Sequence, residues 1–129
     1  MPVLGLHHYN LRAHRALLDE LRDFYVDVVG LVQGERPPFK SFGYWLYAGP
    51  DAVLHLSQAG PQEDRPARHS GTFDHVALRS ADADAFVARL QRHGVAYTLD
   101  RVPRTGALQI FFSDPAGNGI ELNFDETPR

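Results

Sequence analysis

The chain repeats itself, and that limits the folds open to it more than any other feature. Leu6-His7-His8-Tyr9-Asn10-Leu11-Arg12 has its counterpart 67 residues later in Phe73-Asp74-His75-Val76-Ala77-Leu78-Arg79, with His75 falling on His8. Val53-Leu54-His55-Leu56 matches Gly119-Ile120-Glu121-Leu122 at a spacing of 66, with Glu121 falling on His55. Between these segments, Val28-Val29-Gly30-Leu31-Val32 and Gln91-Arg92-His93-Gly94-Val95 each read as a helix end stopped by glycine. The turns correspond as well, Gly49-Pro50-Asp51 with Asp114-Pro115-Ala116. A tandem duplication of this period means that the two halves adopt one supersecondary unit twice.

Each half reads as β-α-β-β-β. The first opens with a strand over Leu4 to Arg12, followed by a helix over Arg15 to Val29. Leu17, Leu18, Leu21, Phe24, Tyr25 and Val28 recur there at helical spacing, and Gly30 ends the helix. A strand at Leu31 to Glu35 runs into Arg36-Pro37-Pro38-Phe39-Lys40, where the prolines forbid further pairing and force a loop. An aromatic strand, Tyr44 to Tyr47, turns through Gly49-Pro50-Asp51 into a strand over Ala52 to Gln58. Residues 59–72 are polar, rich in proline and glycine and without periodicity, and read as a mobile linker. The second half follows with a strand at Thr72 to Arg79 and a helix at Asp82 to His93. Strands over Val95 to Val102, Leu108 to Ser113 and Gly119 to Phe124 complete it. The expected fold class is α+β, a single domain over residues 1–129 with module 1 at about 1–58 and module 2 at about 73–125.

The chemistry enters at the last strand. Side chains alternate across a strand, so Glu121 points away from Ile120, Leu122 and the face they share. A carboxylate held in an apolar strand is costly unless a cation meets it. The repeat supplies partners, because the four equivalent strand positions hold His8, His55, His75 and Glu121. Their apolar neighbours, Tyr9, Leu11, Leu54, Leu56, Val76, Leu78, Ile120 and Leu122, all fall on the opposite face, where helices would cover them. Two curved mixed sheets with polar concave faces would then enclose a metal-binding cleft. A single strand histidine is ordinarily just a satisfied polar residue, but four ligand-competent residues at two duplicated positions are a pattern. His7 would face the other way, His14 and His93 flank helices, and His69 lies in the linker.

Composition excludes other classes. A net charge of −3 lacks the basic face that nucleic acid requires. No cysteine is present, so neither a disulfide framework nor a thiolate ligand is available. No signal-type apolar stretch follows Met1, and no apolar run approaches the ~20 residues that span a bilayer. The expectation is a cytoplasmic protein with no nucleic-acid and no membrane partner.

Phe73-Asp74-His75-Val76-Ala77-Leu78, Phe24-Tyr25 running to Gly30-Leu31, and above all Asp114-Pro115-Ala116-Gly117-Asn118-Gly119-Ile120-Glu121-Leu122 resemble the vicinal oxygen chelate superfamily. That superfamily includes glyoxalase I, methylmalonyl-CoA epimerase, fosfomycin-resistance proteins, extradiol dioxygenases and bleomycin-resistance proteins. The resemblance implies paired βαβββ modules and metal ligands at His8, His55, His75 and Glu121. It implies one divalent ion per site (Fe, Mn, Zn, Ni or Co) and a small-molecule substrate chelated through vicinal oxygens. His55 stands where glyoxalase I-like members commonly carry Glu, whereas His8, His75 and Glu121 match the two-His-one-carboxylate set of the dioxygenases. Extradiol members carry a Tyr where this chain has Phe111, and a His where only Val102, Pro103 and Arg104 stand. The expected activity is a glyoxalase I-like lyase or isomerase with Glu121 or His55 as catalytic base. A dioxygenase and a non-catalytic antibiotic-binding protein are the alternatives. Tyr47, Trp45, Arg104 and Gln109 are candidate pocket residues, and exposed aromatics such as Trp45 and Phe112, with open sheet edges, point to a homodimer.

Overall fold

Two stretches with strict apolar alternation, each preceded by a glycine-containing turn, force two sheets with one buried face apiece. The computed structural model describes residues 2–124, as two compact units, one running through Ala67 and the other from Arg68. The end of module 2 at 125 lies outside the described residues. The first unit contains β1 (Tyr9–Ala13), α1 (Arg15–Phe24), β2 (Val32–Gly34), β3 (Gly43–Ala48) and β4 (Asp51–Gln58). The second contains β5 (His75–Arg79), α2 (Ala83–Arg92), β6 (Thr98–Arg101), β7 (Leu108–Ser113) and β8 (Gly119–Phe124). The sheet orders are β1-β4-β3-β2 and β5-β8-β7-β6, both open and curved. In each, the first strand runs parallel to the last and the other pairs are antiparallel. The expected α+β class with two βαβββ modules is what is found.

The duplication extends to register. Asn10 stands opposite His55 in the first sheet, and Ala77 opposite Glu121 in the second. His8 and His75 therefore each precede, by two residues, the position opposite His55 or Glu121. Leu54 and Leu56 in one sheet and Ile120 and Leu122 in the other are essentially fully buried, as the face assignment requires. Leu18 and Leu21 of α1 cover the first sheet, and in the second Phe86 of α2 meets Phe124 edge to face.

Several boundaries differ from the sequence reading, for identifiable reasons. The first strand begins at Tyr9, not Leu4, since its pairing with β4 starts with Tyr9 opposite Leu54. Residues 2–8 consequently run outside the sheet with Val3, Leu4 and Leu6 exposed. β5 likewise starts at His75, which pairs with Gly119 at the start of β8. β6 starts at Thr98 rather than Val95, since the Val95 N–H still donates to Leu90 at the helix exit. The first helix ends in a π-helical turn, Tyr25–Val29, in which the Gly30 N–H reaches back to Tyr25. That widened turn buries Tyr25, Val28 and Val29 together, and Gly30 leaves it at φ 93°, a left-handed conformation that favours glycine. Phe112 is buried and presents no aromatic surface, because β7 turns its even-numbered side chains into the core.

The segment read as a mobile linker is tied down in both units. The Ala59 N–H donates to Ala13 in the first, and His69 donates to Ala116 in the second. The Glu63 carboxylate accepts from Arg12 Nε at 2.7 Å and Nη2 at 2.8 Å, and from Arg65. These guanidinium groups hold the Glu63 carboxyl far below the ordinary glutamate value of 4.5. A carboxyl with a lowered folded pKa stabilises above its unfolded value, and that contribution disappears as pH falls through the folded one. Glu63→Gln should therefore lower the melting temperature at pH 7, with the gap to wild type closing progressively below pH 4.5. Thermal unfolding at pH 7 and pH 3 checks this, and an equal gap at both would contradict it.

Candidate functional site

In the second unit, β5 and β8 place His75 and Glu121 on one face of the sheet, with His75 Nε2 3.3 Å from Glu121 Oε1. The other ring nitrogen, Nδ1, donates to Asp74 Oδ2 at 2.8 Å, since an ionised carboxylate can only accept. Glu121 Oε2 receives the Gln109 side-chain amide at 3.1 Å and the Asn123 amide at 3.2 Å. Its Oε1 has only the imidazole before it. With Nδ1 donating, a neutral His75 would set the Nε2 lone pair directly against a carboxylate oxygen. Two facing lone pairs at this distance repel, so the gap calls for a cation, either a proton on Nε2 or a metal ion. Two ligands bonded to one metal at about 2.1 Å lie about 3.0 Å apart at right angles and about 3.4 Å apart in a tetrahedron. The observed separation fits that range.

Asp74 was not singled out from sequence, although it directly precedes the histidine. A carboxylate on the distal nitrogen of a ligand histidine sets its tautomer and raises its basicity. Gln109, a candidate pocket residue, instead holds the Glu121 carboxylate. Glu121 itself is only 7% exposed, so those two amides and the imidazole are what meet its desolvation.

The first unit presents its equivalent pair differently. His55 stacks on Trp45 with ring centres 4.0 Å apart and planes at 9°, and His8 stacks on the other side at 3.7 Å and 17°. The ring nitrogens of stacked imidazoles point along parallel planes rather than at one point, so this pair does not aim two lone pairs at a single ion. His55 Nε2 donates to the Ala52 carbonyl at 3.1 Å, which leaves Nδ1 as the basic nitrogen. Burial, and then the neighbouring His8, hold the His55 pKa below its ordinary value of 6.5. His7 contradicts the sequence reading. It bonds to His8 between Nδ1 atoms at 2.9 Å and lines the same cavity, because alternation across a strand does not apply to residues 2–8.

That cavity, about 420 Å³, is walled by His7, His8, Trp45 and His55 and by Arg36, Phe39 and Ser41 of the β2–β3 loop. The second unit has a cavity of about 630 Å³ bordered by Asp74, His75, Tyr97 and Phe111. Two other candidate pocket residues are employed elsewhere. The Tyr47 hydroxyl donates to the Glu35 carbonyl at 2.6 Å, and Arg104 occupies the β6–β7 turn at φ 75°. Among the described residues, no group of three or more His, Asp or Glu converges to hold an ion. Each unit holds two of the four sequence-predicted residues, His8 and His55 in the first and His75 and Glu121 in the second. The donor types, imidazole nitrogen and carboxylate oxygen without thiolate, suit the borderline divalent ions from Mn to Zn.

Residues 5–122 match the Glyoxalase/Bleomycin resistance protein/Dioxygenase superfamily. The chain is 30% identical over 117 residues to Glyoxylase I 4 of Arabidopsis thaliana, across 86% of this chain and 67% of that protein. Among solved structures it is similar to a glyoxalase family protein from Bacillus anthracis, with TM-score 0.71 and 23% identity over 98% of each chain. It is also similar to lactoylglutathione lyase from Agrobacterium tumefaciens, with TM-score 0.66 and 22% identity over 96% of each. TnmS3, an antibiotic binding protein from Streptomyces sp. CB03234, superimposes with TM-score 0.68 at 27% identity, over 96% of this chain and 98% of that one.

Trp45 is the sole tryptophan, so its emission reports on the stacked histidines. A protonated imidazole quenches indole fluorescence, and the lowered His55 pKa delays that protonation. Emission should fall with acidification at a midpoint below pH 6.5, and His55→Ala should abolish the transition. A midpoint above 6.5, or one unchanged in the variant, would dissociate the quenching from His55.

Proposed function

Because the chain belongs to the Glyoxalase/Bleomycin resistance protein/Dioxygenase superfamily, we propose that it is a divalent-metal-dependent enzyme with glyoxalase I-like lyase or isomerase chemistry. Its substrate is a small molecule that presents two neighbouring oxygens. The observation that carries this reading is the 3.3 Å gap between His75 Nε2 and Glu121 Oε1, two groups that need a cation between them. His8, His75 and Glu121 are the ligands in this reading, and His55 is a fourth ligand or a base. A divalent ion held there supplies Lewis-acid polarisation of the two substrate oxygens.

The chain's own groups handle the proton. Gln109 and Asn123 hold Glu121 Oε2, so Oε1 is the oxygen that faces His75, and it would accept a proton from a substrate carbon only on leaving the cation. His55 Nδ1 is the second candidate acceptor, held neutral by burial and clamped in orientation by Trp45 and Ala52. The ligand pairs come from different modules, and a homodimer supplies either both modules from one chain or one from each protomer.

A second reading, sequestration of a small molecule without turnover, is favoured by the similarity to TnmS3 and by the aromatic cavity around Trp45. Metal analysis of the purified protein, then an activity screen with that metal on hemithioacetals and other vicinal-oxygen substrates, separates the two. Tight binding without product supports sequestration, and oxygen uptake with a catechol and Fe²⁺ would instead support dioxygenase chemistry.

Glu121→Gln, His75→Ala and His8→Ala should each lower metal affinity by at least tenfold, measured by competition with a chromophoric chelator. Full occupancy of Glu121→Gln at low metal concentration would remove the assignment. His55→Ala should reduce turnover more than occupancy. Refolding a mixture of His8→Ala and Glu121→Gln chains tests the assembly. If sites are shared between protomers, one site of the heterodimer is intact and metal binding partly returns, and if each site lies within one chain none does.

A further inference from the structure

Arg36 at the wall of the first cavity has no carboxylate partner among the described residues. Arg36 donates through Nη1 to the Ser41 carbonyl at 2.9 Å and weakly through Nη2 to Ser41 Oγ at 3.4 Å. Its Nε is buried with no hydrogen-bond partner. Among the described residues, no carboxylate forms an ion pair with it. The guanidinium sits 4.9 Å from the Phe39 ring centre and beside Gly43, where a Cβ would first meet the Leu56 carbonyl oxygen. The guanidinium is half-buried, and the buried Nε is a donor left unpaired, which costs free energy that an anion in the cavity could offset.

The remaining walls define what would offset it. Trp45 is stacked against His55 and tilted against Phe39, with ring centres 6.1 Å apart, so the cation opens beside flat aromatic surface. A volume of about 420 Å³ holds a molecule of roughly ten to fifteen heavy atoms at the small end of ligand pockets. We propose that Arg36 is the specificity residue of this cavity and that the ligand is a small organic carboxylate with a planar, aromatic body. Its carboxylate pairs with the guanidinium and its ring lies against Trp45 and Phe39. The assignment rests on the reading of this cavity as part of the functional site, but its recognition chemistry needs no metal.

The test uses the full chain at pH 8 in EDTA, with Trp45 emission as the signal and phenylglyoxylate and benzoate as probes. Saturable quenching is expected with both anions, and benzamide, the neutral isostere, should bind at least tenfold more weakly. Arg36→Gln should weaken the anions at least tenfold and leave benzamide unchanged, while Arg36→Lys recovers part of the loss. Equal binding of benzoate and benzamide to the wild-type protein overturns the proposal without reliance on any variant. Binding that appears only when metal is restored, and is indifferent to Arg36→Gln, also overturns it while leaving the metal reading intact.

Discussion

Parallel pairing of the first strand of each module with its last is the constraint on which the rest of the molecule depends. Parallel neighbours cannot be joined by a tight turn, so a crossover must intervene, and here it includes a helix. The helix claims one face of the sheet. That face takes Leu54 and Leu56 in one unit and Ile120 and Leu122 in the other, all essentially without exposure. The alternate positions, His55 and Glu121, are thereby turned to the opposite face, beside the residues that enter on β1 and β5. The polar pairs are a geometric consequence of how the chain closes its sheets.

The two copies then diverge in how they meet the cost of a buried polar group. Glu121, a carboxylate, is met by two amides and an imidazole, the arrangement a buried charge demands. His55 can shed its charge instead. Lying between Trp45 and His8 with one nitrogen bonded to a backbone carbonyl, it is stable as a neutral ring, and its lowered pKa records this. One duplicated position has become a charge that attracts a cation, and the other a neutral base against an aromatic wall.

Much of this was legible in the sequence because the repeat carries the same information twice. β7 and β8 occupy the residues expected of them, and α2 differs by one residue at each end, where Asp82 caps it through the Ala85 N–H. Where the reading went astray, the cause was non-local. Periodicity cannot say where a partner strand begins, so β1 and β5 were drawn too long and His7 was given a face in a strand it does not enter. A π-helical turn keeps an apolar pattern while rotating it, so Val29 joins the core without a signal at helical spacing. Nothing in composition distinguishes a free polar segment from one whose Glu63 is held by two arginines. Asp74 and Arg36 were missed because a charged residue next to a ligand, or before two prolines, is also the commonest solvated residue.

The motif that most clearly identifies the family is itself structural. In Asp114-Pro115-Ala116-Gly117-Asn118, the Asp114 carboxylate accepts from the Ala116 and Asn118 N–H groups and from the Asn118 side-chain amide, all at 2.9 Å. Asp114 and Asn118 are both buried, and Gly117 supplies φ 86° to close the turn. This knot launches β8 at a set register, and register alone decides that Glu121 faces away from the helix. The knot therefore fixes where Glu121 stands and carries no information about a substrate. The two cavities differ most where the repeat is broken. The β2–β3 loop, Glu35-Arg36-Pro37-Pro38-Phe39-Lys40-Ser41-Phe42, has no counterpart in the tight β6–β7 turn, Val102-Pro103-Arg104-Thr105-Gly106-Ala107. That unrepeated loop brings Arg36, Phe39 and Ser41 to the cavity beside Trp45 and His55. The duplicated framework thus sets where the polar pairs stand, and this loop is what makes the surroundings of the first pair differ from those of the second.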